Sequence, residues 1–473
     1  MAIEQVKIRA QDLVIGMFVS GLDRPWSETP FPLQGFHIRR PEDIERVRAY
    51  ATYVYVDITK GVSPSPGTPI YHQRSDEERD FRPGDAPLAV RGRRPPKPPP
   101  PPAARAFAVR EGLYAKTVPL AREAPRAERI ARELKATLTL FAKQVVKGRP
   151  ARLADLAAVV DELVASCLRC PDALLWLVRL RHKDQHTHDH SLRCAVLCAQ
   201  FGRHVGLPPE EIRLLCLAAL LKDIGKLRIP RTVLLKAPEA RTPHEEAQYR
   251  RFVEHGVEML APLPDMEPRV VAAVRCHCER HDGSGFPQGL AGARIPLPAR
   301  IVGLSTEYDQ IASPRGAREP VAPSRAVSLL YNQRNRGFQE ELVVAFIRAI
   351  GPYPPGTLVE LTTGDLAVVM EQEPDARLTP VVAVLDRDAP AIAENSLFVD
   401  LRDEAEARRR LLESGREEVF QLSRLAIARD LEPAAYEIDL AALSAAYLAA
   451  GSPRGTPAGR GWGRRALSRF WRR

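Results

Sequence analysis

The chain has 473 residues, 45% hydrophobic and 27% charged, a composition ordinary for a soluble protein and a length too great for one core, so two or three domains are expected. No apolar run approaches the roughly 18 residues that span a bilayer, and MAIEQVKIRA carries no apolar segment behind its charges, so no signal peptide is read and the cytoplasm is the expected compartment. The net charge is +10, but only 11 of the 69 basic residues are lysine and no recognition module accompanies them, so no specific nucleic-acid partner is expected.

In chain order, alternating apolar residues near Val14 to Phe18 and in Tyr53 to Ile58 flank the helical stretch PEDIERVRAY, which predicts a small α+β domain over 1–85. GRRPPKPPPPP follows, with seven prolines between Pro95 and Pro102; it reads as a stiff polyproline spacer within a linker over 86–108. The pattern then turns helical over 109–350. Apolar spacing of three and four predicts helices near 121–147, 152–168, 187–205, 209–226, 244–261, 266–279, 297–312 and 338–350. LVELTTGDLAVVM and LTPVVAVLD predict a small antiparallel β appendage over 351–402, with C-terminal helices and a basic tail over 403–473. Gly459–Arg473 mixes six arginines with Trp462, Phe470 and Trp471, which suits either a free basic end or peripheral contact with an anionic membrane. The seven cysteines, with Cys167 and Cys170 in a lone CxxC, are expected to be reduced thiols and not a disulfide scaffold or zinc finger.

Three polar clusters interrupt the helices. KDQHTHDHSLRCAVLC puts His186 and His190 four residues apart on one helical face. LLCLAALLKDIGKLRIP ends eight consecutive apolar residues, Leu214 to Leu221, with Lys222, Asp223 and Lys226; charges at the edge of a dry core must be paired or bind something. CHCERHDGSGFP crowds His277, Cys278, Glu279, Arg280, His281 and Asp282 before a glycine-rich turn. Spaced at roughly 35 and 55 residues in one helical domain, the three clusters predict a shared site.

The ordered motifs HS at His190, KDIGKLRIP, HCERHDGSGFP and ARIVGLSTEYDQI resemble those of the HD-GYP family, over about residues 175–350. GSGFP resembles the GYP signature with Phe286 in place of tyrosine, and FQEELVVAFIRAIGPYPPGTLVELTTGDLAVV resembles the family's closing helix and β appendage. LVIGMFVSGLDRPWSETPFPLQGFHI with YVYVDITKG resembles the small domain of unknown function that often precedes HD-GYP domains, with Trp26, Phe31 and Phe36 in its core.

The resemblance implies a mainly α fold: a helical HD-domain bundle, a small N-terminal α+β domain and a small β appendage after the bundle. It also implies cyclic di-GMP phosphodiesterase chemistry, in which two or three iron or manganese ions activate a water and clamp the phosphodiester. The catalytic positions fall on Asp223 and Lys226, and metal-ligand positions with a matching residue are His190, Asp223 and His277. Four other ligand positions depart from the pattern: Lys222 replaces the histidine of the HD pair, Phe252 and Cys278 replace histidines, and Thr306 replaces the final aspartate. His186, His255, Arg280 and Asp282 are candidates to compensate or to bind phosphate, with Glu307 beside Thr306, and a thiolate–imidazole site would favour zinc. The expectation is therefore a signalling homologue without a bound metal, with cyclic di-GMP or other signalling proteins as partners, in which Lys222 pairs with Asp223. The rival expectation is an active phosphodiesterase with a remodelled iron, manganese or zinc site.

Overall fold

The computed structural model describes residues 5–22, 36–38, 40–57, 61–64, 110, 112–149, 151–180, 186–314, 319–373, 376–386, 395–416, 419 and 424–453. The polyproline run, Trp26, Phe31 and the basic tail lie outside them. The chain divides into two compact units, 1–99 and 100–473.

In the first unit, β1 (Gln5–Arg9), β2 (Phe18–Leu22), β3 (Phe36–His37) and β4 (Tyr53–Asp57) form an antiparallel sheet in the order β1-β4-β2-β3, with α1 (Pro41–Tyr50) between β3 and β4. Alternate strand residues Ile8, Val19, Val54 and Val56 bury one face against Val47 of α1, as a period of two requires. Phe36 lies at the edge of this core, not within it, because β3 is a two-residue edge strand; Met17 fills the centre.

The second unit opens with α2 (Leu120–Val146), α3 (Leu153–Arg169) and α4 (Pro171–Leu180). Then come α5 (His186–His204), α6 (Pro209–Leu221), α7 (Arg231–Leu234), α8 (Pro243–Arg250) and α9 (Phe252–Leu260). The bundle ends with α10 (Pro268–Cys276), α11 (Leu297–Ala312), α12 (Pro323–Tyr331) and α13 (Glu340–Ile350). Helix α6 is central: Ile212 and every residue from Leu214 to Leu221 is buried, mostly against α5, α3 and α10.

The helix expected over 209–226 stops at Leu221; Asp223 then turns the chain into a 3-10 turn at Ile224–Arg228. The tight approach of α9 explains the turn, since a Cβ on Gly225 would collide with the Phe252 carbonyl. The helix expected over 266–279 likewise ends at Cys276, and the one expected over 244–261 divides between Arg250 and Phe252. Helices α4 and α12 were not among the expected elements.

After α13 come β5 (Leu358–Leu361), β6 (Leu366–Glu371), β7 (Val381–Val384), β8 (Leu397–Asp400), α14 (Glu404–Glu413), β9 (Ile427–Asp430) and α15 (Leu440–Ala450). The sheet is antiparallel in the order β8-β7-β6-β5-β9. One face, with Val368, Met370, Val381 and Ala383, joins the bundle core together with Leu443 and Tyr447 of α15. The other, with Val359, Val369, Val382 and Val399, is covered by Ala407 and Leu411 of α14. Burial on both faces accounts for the continuous apolar runs of β6 and β7. The β appendage therefore does not end at 402: β9 closes it beside β5, and the segment expected to be purely helical contains that strand. Among the described residues no helix is long and apolar enough to cross a membrane.

Candidate functional site

Helices α5, α6, α10 and α11 pack so that His190, the Lys222–Asp223 pair, His277 and Asp309 converge in the bundle interior. Lys222 is fully buried; His190, Asp223, Lys226, His277 and Asp309 are nearly so. Lys222 Nζ lies 2.5 Å from Asp223 Oδ2 and 2.9 Å from His190 Nε2. Lys226 Nζ lies 2.6 Å from the other carboxylate oxygen, Oδ1. Both oxygens of Asp223 thus face an ammonium.

The histidine tautomers follow from their partners. Asp309 Oδ2 is 2.6 Å from His190 Nδ1 and can only accept, so Nδ1 carries the proton and the Nε2 lone pair receives Lys222 Nζ. Val274 O, 2.7 Å from His277 Nδ1, fixes that ring in the same way, and Cys278 Sγ, at 3.3 Å, donates to its Nε2. Burial, reinforced by Lys222, pushes His190 down to about 4; burial, with Lys222 and Lys226 adding against the pull of Asp223, pushes His277 down to about 3. Burial pushes the Cys278 thiol up to about 12. All three groups are neutral near pH 7, which rules out a thiolate–imidazolium pair. Asp223 goes the other way: burial opposes its charge, but Lys222 and then Lys226 hold it well below the usual carboxylate range.

The four positions expected to depart from the family's ligand pattern carry groups with contacts of their own. Phe252 packs edge-on against His277 at 5.8 Å and Phe286 at 6.2 Å, beneath Lys226 Nζ at 4.8 Å. Thr306 Oγ1 donates to Val302 O at 2.7 Å on its own helix. Of the candidates to compensate, His255 faces Glu258 at 3.5 Å. Arg280 pairs with Glu307 at 2.9 Å and stacks over Phe338, while Glu307 also accepts from Gln333. Asp282 accepts from the Ser284 N–H and hydroxyl and shapes the turn. His186 opens α5, and its side chain is outside the described residues. None of His255, Arg280 or Asp282 makes a described contact with the Lys222–Asp223 pair.

Sequence reasoning missed Asp309, Arg193 and Cys194. Arg193 Nε and Nη2 hold Asp309 at 2.6 and 3.0 Å, and Cys194 Sγ lies 3.8 Å from the His190 ring. The signal was helical spacing: Arg193 and Cys194 are one turn beyond His190, and Asp309 is one turn beyond Thr306. Glu279, named in the third cluster without a role, has a buried carboxylate that accepts the Gln288 and Leu290 N–H groups at 2.8 and 3.0 Å and clamps the GSGFP turn. Among the described residues, His190, Cys194 and Asp309 are one group whose ligand atoms lie within 4.8 Å of one another. Burial raises the Cys194 thiol well above its ordinary value, and Asp309 is held by Arg193 and His190, so the trio is internally hydrogen-bonded.

The HD domain family model matches residues 179–342, and the model of a domain of unknown function, DUF3391, matches 5–156, through the proline-rich stretch and into α3. The cyclic di-GMP phosphodiesterase PA4108 of Pseudomonas aeruginosa is 32% identical over 380 residues, 80% of this chain and 84% of that protein. The cyclic di-GMP phosphodiesterase response regulator RpfG of Xanthomonas campestris is 36% identical over 170 residues, 36% of this chain and 45% of that protein. Among solved structures, Bd1817 of Bdellovibrio bacteriovorus, described as an HDG"Y"P protein, aligns with a TM-score of 0.41 at 13% identity, over 72% of this chain and 98% of that one. With a relative at this identity matched over most of both lengths, and with the motif order intact, the chain belongs to the HD-GYP family of HD-domain proteins, carrying the DUF3391 domain at its N-terminal end.

Proposed function

We propose that this chain is a catalytically inactive HD-GYP homologue that acts in cyclic di-GMP signalling by binding and not by hydrolysis. The observation that carries the reading is the fully buried Lys222 ammonium, shared between Asp223 and His190. The residues present do not fit a centre of two or three metals. The Nε2 lone pairs of His190 and His277 are taken by protons of Lys222 and Cys278, and both Asp223 oxygens are paired. A dication there would face a fixed positive charge at hydrogen-bond distance and offer it no ligand from Phe252 or Thr306. The buried charges, Lys222 and Lys226 against Asp223 and Asp309, balance, and the partly exposed Arg193 beside Asp309 adds a positive charge, which suits an anion better than a cation. A phosphodiester is an anion of that kind, and Lys binds phosphate without a metal.

Elemental analysis of the purified full chain for iron, manganese and zinc is expected to find well under one equivalent. Incubation with cyclic di-GMP is expected to yield no linear dinucleotide. Two or more bound metals accompanied by turnover would overturn the reading in favour of an active, remodelled enzyme. Calorimetry with cyclic di-GMP separates a receptor, which gives a heat of binding, from an adaptor that engages proteins alone.

A second test rebuilds the ligands. The combined variant Lys222→His, Phe252→His, Cys278→His and Thr306→Asp is expected to acquire manganese or iron that the parent chain does not hold. A folded variant that stays metal-free shows that more than these four positions has changed.

A further inference from the structure

A second, partly buried charge cluster lies away from the site, where the bundle meets the C-terminal sheet. Lys116, in the segment before α2, reaches three carboxylates: Glu371 at 2.5 Å, Glu373 at 3.1 Å and Asp172 at 3.3 Å. Glu371 ends β6, Asp172 stands in the first turn of α4, and Tyr447 of α15 donates its hydroxyl to Glu371 Oε2 at 2.8 Å. Four parts of the unit that are far apart in sequence therefore meet on one ammonium.

Three carboxylates around one lysine cannot all be fully compensated by it. Glu371 has the shortest contact and a second donor in Tyr447; Asp172 has the longest contact, is only 7% exposed, and sits beside two other carboxylates. It is the carboxylate whose charge the cluster holds least well. We propose that the Lys116 cluster is a proton-tightened clasp joining the helical bundle to the C-terminal sheet and to α15, with Asp172 as the group that takes the proton.

The charged and titratable groups facing Asp172 all bear on this. Burial is the largest influence and pushes Asp172 up to about 6; Lys116 pulls it down, and Glu371 and Glu373 push it up again. The neighbouring Cys170 and Cys167 thiols are themselves driven up to about 12 by burial and stay neutral. Arg203 of α5 also bears on this corner; it spends its guanidinium on the Leu168 and Tyr114 carbonyls. Arg203, His204 and Arg377 line the same cleft as Asp172 and Glu373. Since Asp172 titrates higher in the folded chain than in the unfolded one, its contribution to stability is full below the ordinary aspartate value near 4 and is lost as pH rises through about 6. His190 and His277, both lowered, contribute in the opposite sense over the same window, so the informative quantity is the difference between variant and parent.

The test is thermal unfolding of the full chain between about pH 4 and 7, the window that spans the ordinary aspartate value and the raised one. Asp172→Asn removes the charge at nearly constant shape. Its midpoint is expected to exceed the parent's by about 2–4 °C at the upper end of the range and to converge on it at the lower end. A constant difference across the range would overturn the proposal. Glu373→Gln provides the check should Asp172→Asn fail to fold: with one neighbouring charge gone, the parent's pH-dependent step moves to lower pH, and an unmoved step counts against the clasp. Amide exchange in α15, corrected for its intrinsic pH dependence, is expected to slow on acidification in the parent and not in Asp172→Asn. A merely structural Asp172 would leave that exchange pattern unchanged.

Discussion

Replacing Lys222 by alanine is expected to destabilise the bundle by about 3 kcal/mol, read as a lowered urea midpoint at neutral pH. The ammonium is fully buried and is shared between Asp223 Oδ2 and His190 Nε2, so its removal leaves a carboxylate oxygen and an imidazole lone pair facing a cavity. The loss falls at the low end of what breaking a buried pair costs, because Lys226 still holds Asp223 Oδ1. Adding Asp223→Asn to Lys222→Ala is expected to recover part of the loss, since the stranded charge disappears with it. An unchanged midpoint in the single variant would show that Asp223 was never dependent on Lys222. The same experiment bears on function, because a site that needs an ammonium for its own stability has little use for a dication at that point.

The larger effect is expected at Lys116. Lys116→Met keeps most of the side-chain volume but leaves Asp172, Glu371 and Glu373 without the ammonium they share, for a loss of about 4 kcal/mol at neutral pH. The sign of its pH dependence is distinctive. As pH falls toward about 5 the crowded carboxylates take protons and the variant regains stability, more fully than the Lys222 variant, in which Lys226 still holds Asp223 ionised. Equal losses at both ends of the pH range would mean that Lys116 acts through packing of its alkyl stem alone.

Much of the fold was legible because motif order is a one-dimensional signal: the HS, KDIGK, HCERHDGSGFP and STEYD segments lie in sequence as they do on α5, the α6 end, the α10 end and α11. The Lys222–Asp223 contact was legible for a different reason, since adjacent opposite charges after eight apolar residues have nowhere else to go. Asp309 and Arg193 were not, although each is one helical turn from a residue that was singled out. Their pairing joins positions 116 residues apart, and nothing in the local pattern fixes which faces of α5 and α11 meet. The Lys116 cluster was less legible still, because its members are drawn from four separate elements and each alone reads as a surface charge. Strand β9 was missed because IARD alternates too briefly to stand out; it is a strand because β5 offers an unpaired edge.

That last strand has a consequence for the order of events on the ribosome. Glu360 on β5 finds Arg429 on β9 only 69 residues later in the chain. Asp430 and Glu432, at and just after the same strand, accept the Ser324 and Ala322 N–H groups that open α12. A nascent chain that has already emerged through β8 therefore still exposes a bare sheet edge at β5 and an unsatisfied helix start next to the site helix α11. Completion of the bundle waits until β9 and Glu432 have been made, so a chain ended before them has both a sticky edge and a frayed α12, and chaperone capture is the expected fate of such fragments.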